Sequence, residues 1–390
     1  MRRWSDGSVP VTSSNQLTER LIQQGVTNMN VYKPLMSLVL GAAALAVVAA
    51  DTTPAFSEAW TYPVVIRDPP LDMNGKQVPG VHKALERSEV SKKWNLCVSW
   101  PHVKDPYYIA MTYGVTEEAK RLGVKLTVVA ADGYGDQVGQ IAQVENCVAQ
   151  GADGVVAISI SQDGLCGTID EMRKNGVKFI DFGIGVKCDI DGRSINSYWA
   201  TGEAIAKWLK EKHPNGSGKV KALWLPGPAG VFWSEAAVQG FKDTIPGSEV
   251  EIAKVLYGDS GKAVQMKLLE DGLQTYPDVK YVIGGAPVVE VAVNLLREIG
   301  RDDIGLYSFY LTPGVEEGIV DGSIEGSATE SSVMYARLAL ELAVRVLEGK
   351  AKHIDIATEF GVLQKGSMGA GYDRSKHLAP TGWKPIFKVD

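Results

Sequence analysis

From residue 94 the sequence repeats one unit: a short apolar run, an amphipathic stretch, a glycine, then another apolar run. WNLCVSW (94–100) opens the series and has the look of a strand buried on both faces. Tyr108, Met111, Val115, Ala119 and Leu122 then recur at three- and four-residue steps, with Glu117, Lys120 and Arg121 elsewhere on the helix. Gly123 ends that helix as a left-handed cap would. VKLTVVAA (124–131), GVVAIS (154–159) and VKFIDFGI (177–184) are the next strands, and Gly151 and Gly176 end the helices between them. Alternation at this spacing means βαβ units in a parallel sheet, with right-handed crossovers placing helices on both faces.

The pattern restarts after AIAKWLKEKH (204–213) and a PNGSGK turn. VKALWLPG (220–227), VEIAKVLYG (250–258), KYVIGG (280–285) and IGLYSFY (304–310) read as strands. Helices fall over 234–243, 261–274 and VVEVAVNLLREIG, and a long periodic one covers 331–349. The fold class is therefore α/β, with two doubly wound parallel-sheet lobes joined near residue 198. In such sheets ligands bind at the carboxyl ends of the strands.

The N-terminal part carries one hydrophobic block, LMSLVLGAAALAVVAA (35–50), preceded by Lys33. It is short for a membrane span, which needs roughly 20 residues. A basic residue, an apolar stretch and small residues after it read as a secretory signal over 1–50, with cleavage as late as residue 57 and Met29 or Met36 as alternative starts. The block is followed by no cysteine that would anchor a lipoprotein. Export predicts an oxidising compartment, where disulfides persist. Cys97, Cys147, Cys166 and Cys188 follow no CxxC metal pattern, and their three possible pairings cannot be ranked by spacing. The formal charge of −6 and the absence of any Lys/Arg-rich run argue against nucleic acid as a partner.

Catalytic signatures are missing. NGSGK (215–219) precedes a strand, whereas a phosphate loop follows one, and GIGVK (183–187) lacks the third glycine of a dinucleotide fingerprint. There is no HExxH and no GxSxG, and the five histidines have no ligand spacing. The reading is a binding protein without cofactor or metal. Aromatic residues instead gather at the predicted carboxyl edges: Trp100, Tyr107 and Tyr108 after the first strand, Tyr134 after the second, Trp199 at the change of lobe, Phe232 and Trp233 after LPGPAG, and Tyr310 at the end of SFY. One such ring is usually packing; their recurrence points to a shared cleft. Rings in a cleft suit sugars, which also need fixed polar groups, or methylated ammonium groups held by cation–π attraction.

The stretch WNLCVSWPHVKDPYYIAMTYGVTEEAKRLGV, the LPGP of 225–228, the VQGF of 238–241, the YSFYLT of 307–312 and the ending LAPTGWKPIF resemble the TorT family of periplasmic trimethylamine N-oxide sensors, within the type I periplasmic binding proteins. The resemblance covers roughly 92–390. It implies two lobes linked by three hinge crossovers, 92–198 plus 329–352 forming the first and 199–328 plus 353–390 the second. In sugar-binding relatives an aspartate stands where this chain has Tyr310, and an arginine where it has Glu235 or Trp233. That exchange favours a small methylated amine or N-oxide over a sugar. Glu330 resembles a polar pocket position. The resemblance points to a Cys97–Cys147 disulfide; Cys166 and Cys188, after neighbouring strands near the cleft rim, are candidates for a second. It also implies a periplasmic location and a TorS-like sensor histidine kinase as partner, the alternative being the ABC permease of an importer for a sugar or other small polar compound.

Overall fold

The computed structural model describes residues 57–369 and 371–390; the expected leader, 1–50, lies outside them. All elements below belong to the unit Thr53–Asp390. A hairpin comes first, β1 (Thr61–Asp68) and β2 (Lys76–Lys83). The first lobe follows as β3 (Asn95–Trp100), α1 (Pro106–Leu122), β4 (Lys125–Ala130), α2 (Gln137–Ala149), β5 (Gly154–Ala157), α3 (Cys166–Lys174), β6 (Lys178–Phe182) and β7 (Gly192–Ser194). The second lobe begins with α4 (Tyr198–Lys212), β8 (Val220–Gly227), α5 (Phe232–Thr244), β9 (Val250–Tyr257) and α6 (Lys262–Thr275). It continues through β10 (Tyr281–Gly284), α7 (Ala286–Glu298), β11 (Gly305–Ser308), α8 (Pro313–Asp321) and β12 (Gly326–Thr329). The chain ends with α9 (Ser332–Leu347), β13 (Ile356–Thr358), β14 (Gly361–Gln364) and β15 (Lys388–Val389).

Two six-stranded sheets result, ordered β15-β4-β3-β5-β6-β7 and β14-β12-β11-β10-β8-β9. Each is parallel except for an antiparallel edge strand, β15 in the first and β14 in the second. A third sheet, β13-β1-β2, is antiparallel throughout. Alternate residues of β3 serve opposite layers. Leu96, Val98 and Trp100 pack in one core with α1 and α9, while Cys97 joins Val144, Val155 and Phe179 in the other with α2 and α3. The second sheet is likewise covered by α6, α7 and α8 on one face and by α4 and α5 on the other. The four cysteines pair as Cys97–Cys147, joining β3 to α2, and Cys166–Cys188, joining the start of α3 to the loop after β6. Among the described residues no helix is long and apolar enough to cross a membrane.

The chain changes lobe between β7 and α4, between β12 and α9, and between β13 and β14. It then changes once more, because β15 pairs with β4 of the first sheet. Assigning all of 353–390 to the second lobe therefore does not hold. The tail grips both lobes on its way. Arg374 Nε and Tyr372 Oη each donate to Glu316 of α8 at 2.8 Å. Farther on, Trp383 packs edge-on against Tyr113 of α1, and the Ile386 carbonyl accepts from Thr116 Oγ1.

Helices α4 and α5 touch backbone to backbone. A β-carbon on Gly202 would lie 1.9 Å from the Ala237 carbonyl oxygen, and one on Gly240 would lie 1.9 Å from that of Trp199. Only glycine permits this approach; the rings of Tyr198 and Phe232, at the two helix starts, stand 6.3 Å apart. Gly240→Ala should push the pair apart and lower the unfolding free energy by about 1–3 kcal/mol. The urea midpoint reads this at unchanged slope; a midpoint equal to the wild type would show that the helices part without cost.

Candidate functional site

Between the lobes lies a cavity with about 70 Å³ open to the centres of water-sized groups. The first lobe contributes His102, Asp105, Tyr107, Tyr108, Tyr134, Ile158 and Ile184. The second contributes Tyr198, Thr201, Trp233, Ala237, Ser260, Phe309 and Tyr310. The three remaining side chains, Asn196, Glu330 and Phe360, come one from each of the first three lobe crossings.

The start of α1 shows how local sequence builds this wall. Asp105 caps the helix, accepting from the Tyr107 amide at 2.9 Å, and Pro106 occupies the first turn. Tyr107 and Tyr108 then project in different directions, their rings at 86°. Tyr107 meets the ring of Tyr310 from the other lobe at 5.1 Å. Two hydrogen bonds also cross between the lobes. Tyr310 Oη donates to the Asp105 carboxylate, and Trp233 Nε1 donates to Tyr134 Oη at 3.1 Å. Tyr134 Oη in turn pairs with Tyr108 Oη at 3.1 Å.

The electrostatics of the cavity are one-sided. Burial pushes the Asp105 carboxyl up to about 6, against the opposing pull of its bonds from Tyr310 and the Tyr107 amide. Burial also raises Glu330, although Tyr107 donates to it. Desolvation lowers His102 to about 4, so the imidazole is neutral at neutral pH. Burial holds the hydroxyls of Tyr107, Tyr108, Tyr198 and Tyr310 well above their ordinary range. The lining contains no lysine or arginine. The described residues hold no group of three side chains able to bind a metal ion.

Of the residues singled out in the sequence, Tyr107, Tyr108, Tyr134, Trp233, Tyr310 and Glu330 meet at this cavity. Trp100 and Trp199 do not. Trp100 is fully buried beneath the wall, against Tyr108 and Phe182, with its Nε1 donating to Thr112 Oγ1 at 3.1 Å. It backs the pocket as a core residue. Trp199 points outward and donates to Asp243, while its neighbour Tyr198 takes the cavity position. Glu235 is also outside the lining; it accepts from Tyr257 Oη and the Gly230 amide. His102, Asp105, Asn196, Tyr198, Phe309 and Phe360 were not anticipated. For Asp105 a signal existed, since an aspartate before proline marks a helix start. The crossover residues Asn196 and Phe360 sit in no periodic pattern.

Comparison with known proteins agrees with this architecture. A family model described as a periplasmic binding protein domain matches residues 96–351. The periplasmic protein TorT of Escherichia coli (strain K12) is 28% identical over 307 residues, which cover 77% of this chain and 86% of TorT. A solved ABC transporter solute binding protein from Bradyrhizobium sp. BTAi1, with bound bis-tris, superposes with a TM-score of 0.75. It is 41% identical, with 84% of this chain and 98% of that one covered. The complex of the TorS sensor domain with TorT, determined in the presence of TMAO, matches at a TM-score of 0.69 and 25% identity, covering 75% of this chain and 99% of that one.

Asp105 makes a pH prediction. Its carboxyl titrates near 6 in the fold and at the ordinary 3.8 when unfolded, so the folded chain keeps a proton that the unfolded chain has already released. Stability must then fall as pH rises from about 4 to about 6. Asp105→Asn keeps the cap and lacks that loss. Relative to wild type it should gain up to about 3 kcal/mol between pH 4 and 7, measured by urea unfolding at a series of pH values. A difference that stays flat across this range would mean that burial does not raise Asp105.

Proposed function

Since the chain belongs to the periplasmic binding protein family, we propose that it works in the periplasm by closing its two lobes around a small methylated amine, trimethylamine N-oxide or a close analogue, and presents the closed form to a sensor histidine kinase. The carrying observation is the cavity wall: rings from both lobes surround two buried carboxyl groups, and the lining holds no lysine or arginine. An unpaired buried carboxylate is costly, and a ligand bearing positive charge on nitrogen offsets that cost. Ring faces attract methylated ammonium at about 0.5–2 kcal/mol each.

Sugar recognition would need several fixed polar groups, and the position after SF is the ring of Tyr310. The kinase partner is favoured by the likeness to TorT, which was crystallised with the TorS sensor domain both without ligand and with TMAO. Delivery to an ABC permease is the second reading. It is favoured by the Bradyrhizobium protein, whose bound bis-tris is itself a tertiary amine.

Titration calorimetry with trimethylamine N-oxide and with ribose separates an amine site from a sugar site. The N-oxide should bind and shift the emission of Trp233, whereas ribose should leave both signals unchanged; the reverse outcome overturns the amine reading. Trp233→Ala should weaken N-oxide binding by about 1–2 kcal/mol by removing one ring face. Binding as tight as wild type would remove Trp233 from the cage.

A further inference from the structure

Rings and carboxyl groups can hold a methylated cation, but they do not tell one such cation from another. Two polar groups on the wall are available for that task. Asn196 Nδ2 and His102 Nδ1 are both buried and make no hydrogen bond to any described residue. Asn196 is 3% exposed and His102 5%, so bulk water does not serve them. A buried donor without an acceptor is unfavourable, and an acceptor supplied by the ligand relieves it.

Asn196 is the better placed of the two. It lies on the first crossover, where Tyr335 of α9 holds the backbone on both sides. Tyr335 Oη accepts from the Asn196 amide nitrogen at 3.2 Å and donates to the Ser194 carbonyl at 3.0 Å. Tyr335 is fully buried, so the crossover cannot drift. The side chain is thus presented to the cavity from a fixed backbone, as a selecting group should be. Three other polar groups of the wall are already engaged: Tyr310 donates to Asp105, Tyr107 to Glu330, and Trp233 to Tyr134.

We infer that Asn196 is a specificity-determining residue whose amide donates to an oxygen on the ligand, so that, resting on the methylated-amine reading above, the ligand class is an oxygen-bearing ammonium compound (an N-oxide, a betaine or an amino alcohol) and not a bare tetraalkylammonium ion. The carboxyl groups of Asp105 and Glu330 meet the positive nitrogen, and the Asn196 amide meets the oxygen. His102, neutral beside the rings of Tyr108 and Tyr134, supplies a further polar edge to the same chamber.

Two probes of nearly equal shape isolate the oxygen: trimethylamine N-oxide and tetramethylammonium, which has a methyl group in its place. Calorimetry on the full chain gives the ratio of their affinities. In Asn196→Leu, which keeps the size, removes the donor and adds no charge, the ratio should move about tenfold toward tetramethylammonium, the value of one hydrogen bond. Asn196→Ala should move it the same way and replaces the leucine variant if that one fails to fold. A ratio unchanged in the folded variant, with both probes still binding, overturns the role of Asn196 and leaves the amine site standing. Failure of the wild type to bind either probe overturns the amine site itself, and this assignment with it.

Discussion

The crossing of α1 over α9 fixes the cavity's geometry. At Gly114 the helices meet so closely that a β-carbon would lie 2.5 Å from the Val333 carbonyl oxygen. One turn further on, the buried carboxylate of Glu118 accepts from Arg337 Nε of α9 at 2.8 Å and from Arg121 Nε at 3.1 Å. Trp60, leading into the N-terminal hairpin, donates to the same group at 3.0 Å. An ion pair this buried adds little net stability, but it permits only one relative placement of the elements it joins. The placement matters because Tyr107 opens α1 and Glu330 immediately precedes α9. Locking the helices brings the tyrosine hydroxyl onto the glutamate.

With that frame set, aromatic groups join the two lobes across the cavity. The Tyr310–Asp105 and Trp233–Tyr134 hydrogen bonds and the Tyr107–Tyr310 ring contact are also the surface a ligand touches. Closure and binding therefore draw on the same groups. The backing layer is different in kind: Trp100 and Phe182 lie fully inside the core and keep Tyr108 and Tyr335 in place by ring packing.

Much of this was legible in the sequence, and the misses have physical causes. Glycine-ended amphipathic segments between apolar runs gave both sheets, because a parallel strand must be covered on both faces. The same property hid the orientation of Trp100. A strand apolar on both sides carries no alternation, so nothing local says that Trp100 shares a face with Leu96 and Val98. Tyr198 and Trp199 are consecutive on a helix, about 100° apart. Which of them faces the cavity is decided by the Gly202 and Gly240 contacts, formed between distant parts of the chain. The hairpin strand β2 contains Pro79 and Gly80, which weaken a strand pattern and are tolerated here because β2 is an edge. The final strand has two residues and no periodicity, so its return to the first sheet could not be read.

The crossovers carry the link between site and motion. Each of the first three places one side chain in the cavity: Asn196, Glu330 and Phe360. They are also tied to one another. Thr358 Oγ1 donates to the Glu330 carbonyl at 2.6 Å, and the Arg193 amide donates to the Ile354 carbonyl at 2.7 Å. Ser331, beside Glu330, adopts a left-handed conformation at φ 59°, which is costly for a residue with a β-carbon. Its neighbours hold it there: Tyr62 Oη donates to Ser331 Oγ at 2.9 Å, and Thr329 Oγ1 accepts from its amide while bonding His377 of the tail. On the proposed function, a ligand that touches Glu330 acts on a segment joining the lobes, and the hairpin and tail brace that segment from outside. A ligand shifts a two-state equilibrium only by its different affinity for the two states. On that reading, contacts made by the crossovers, available only when both lobes enclose the same small group, would supply that difference.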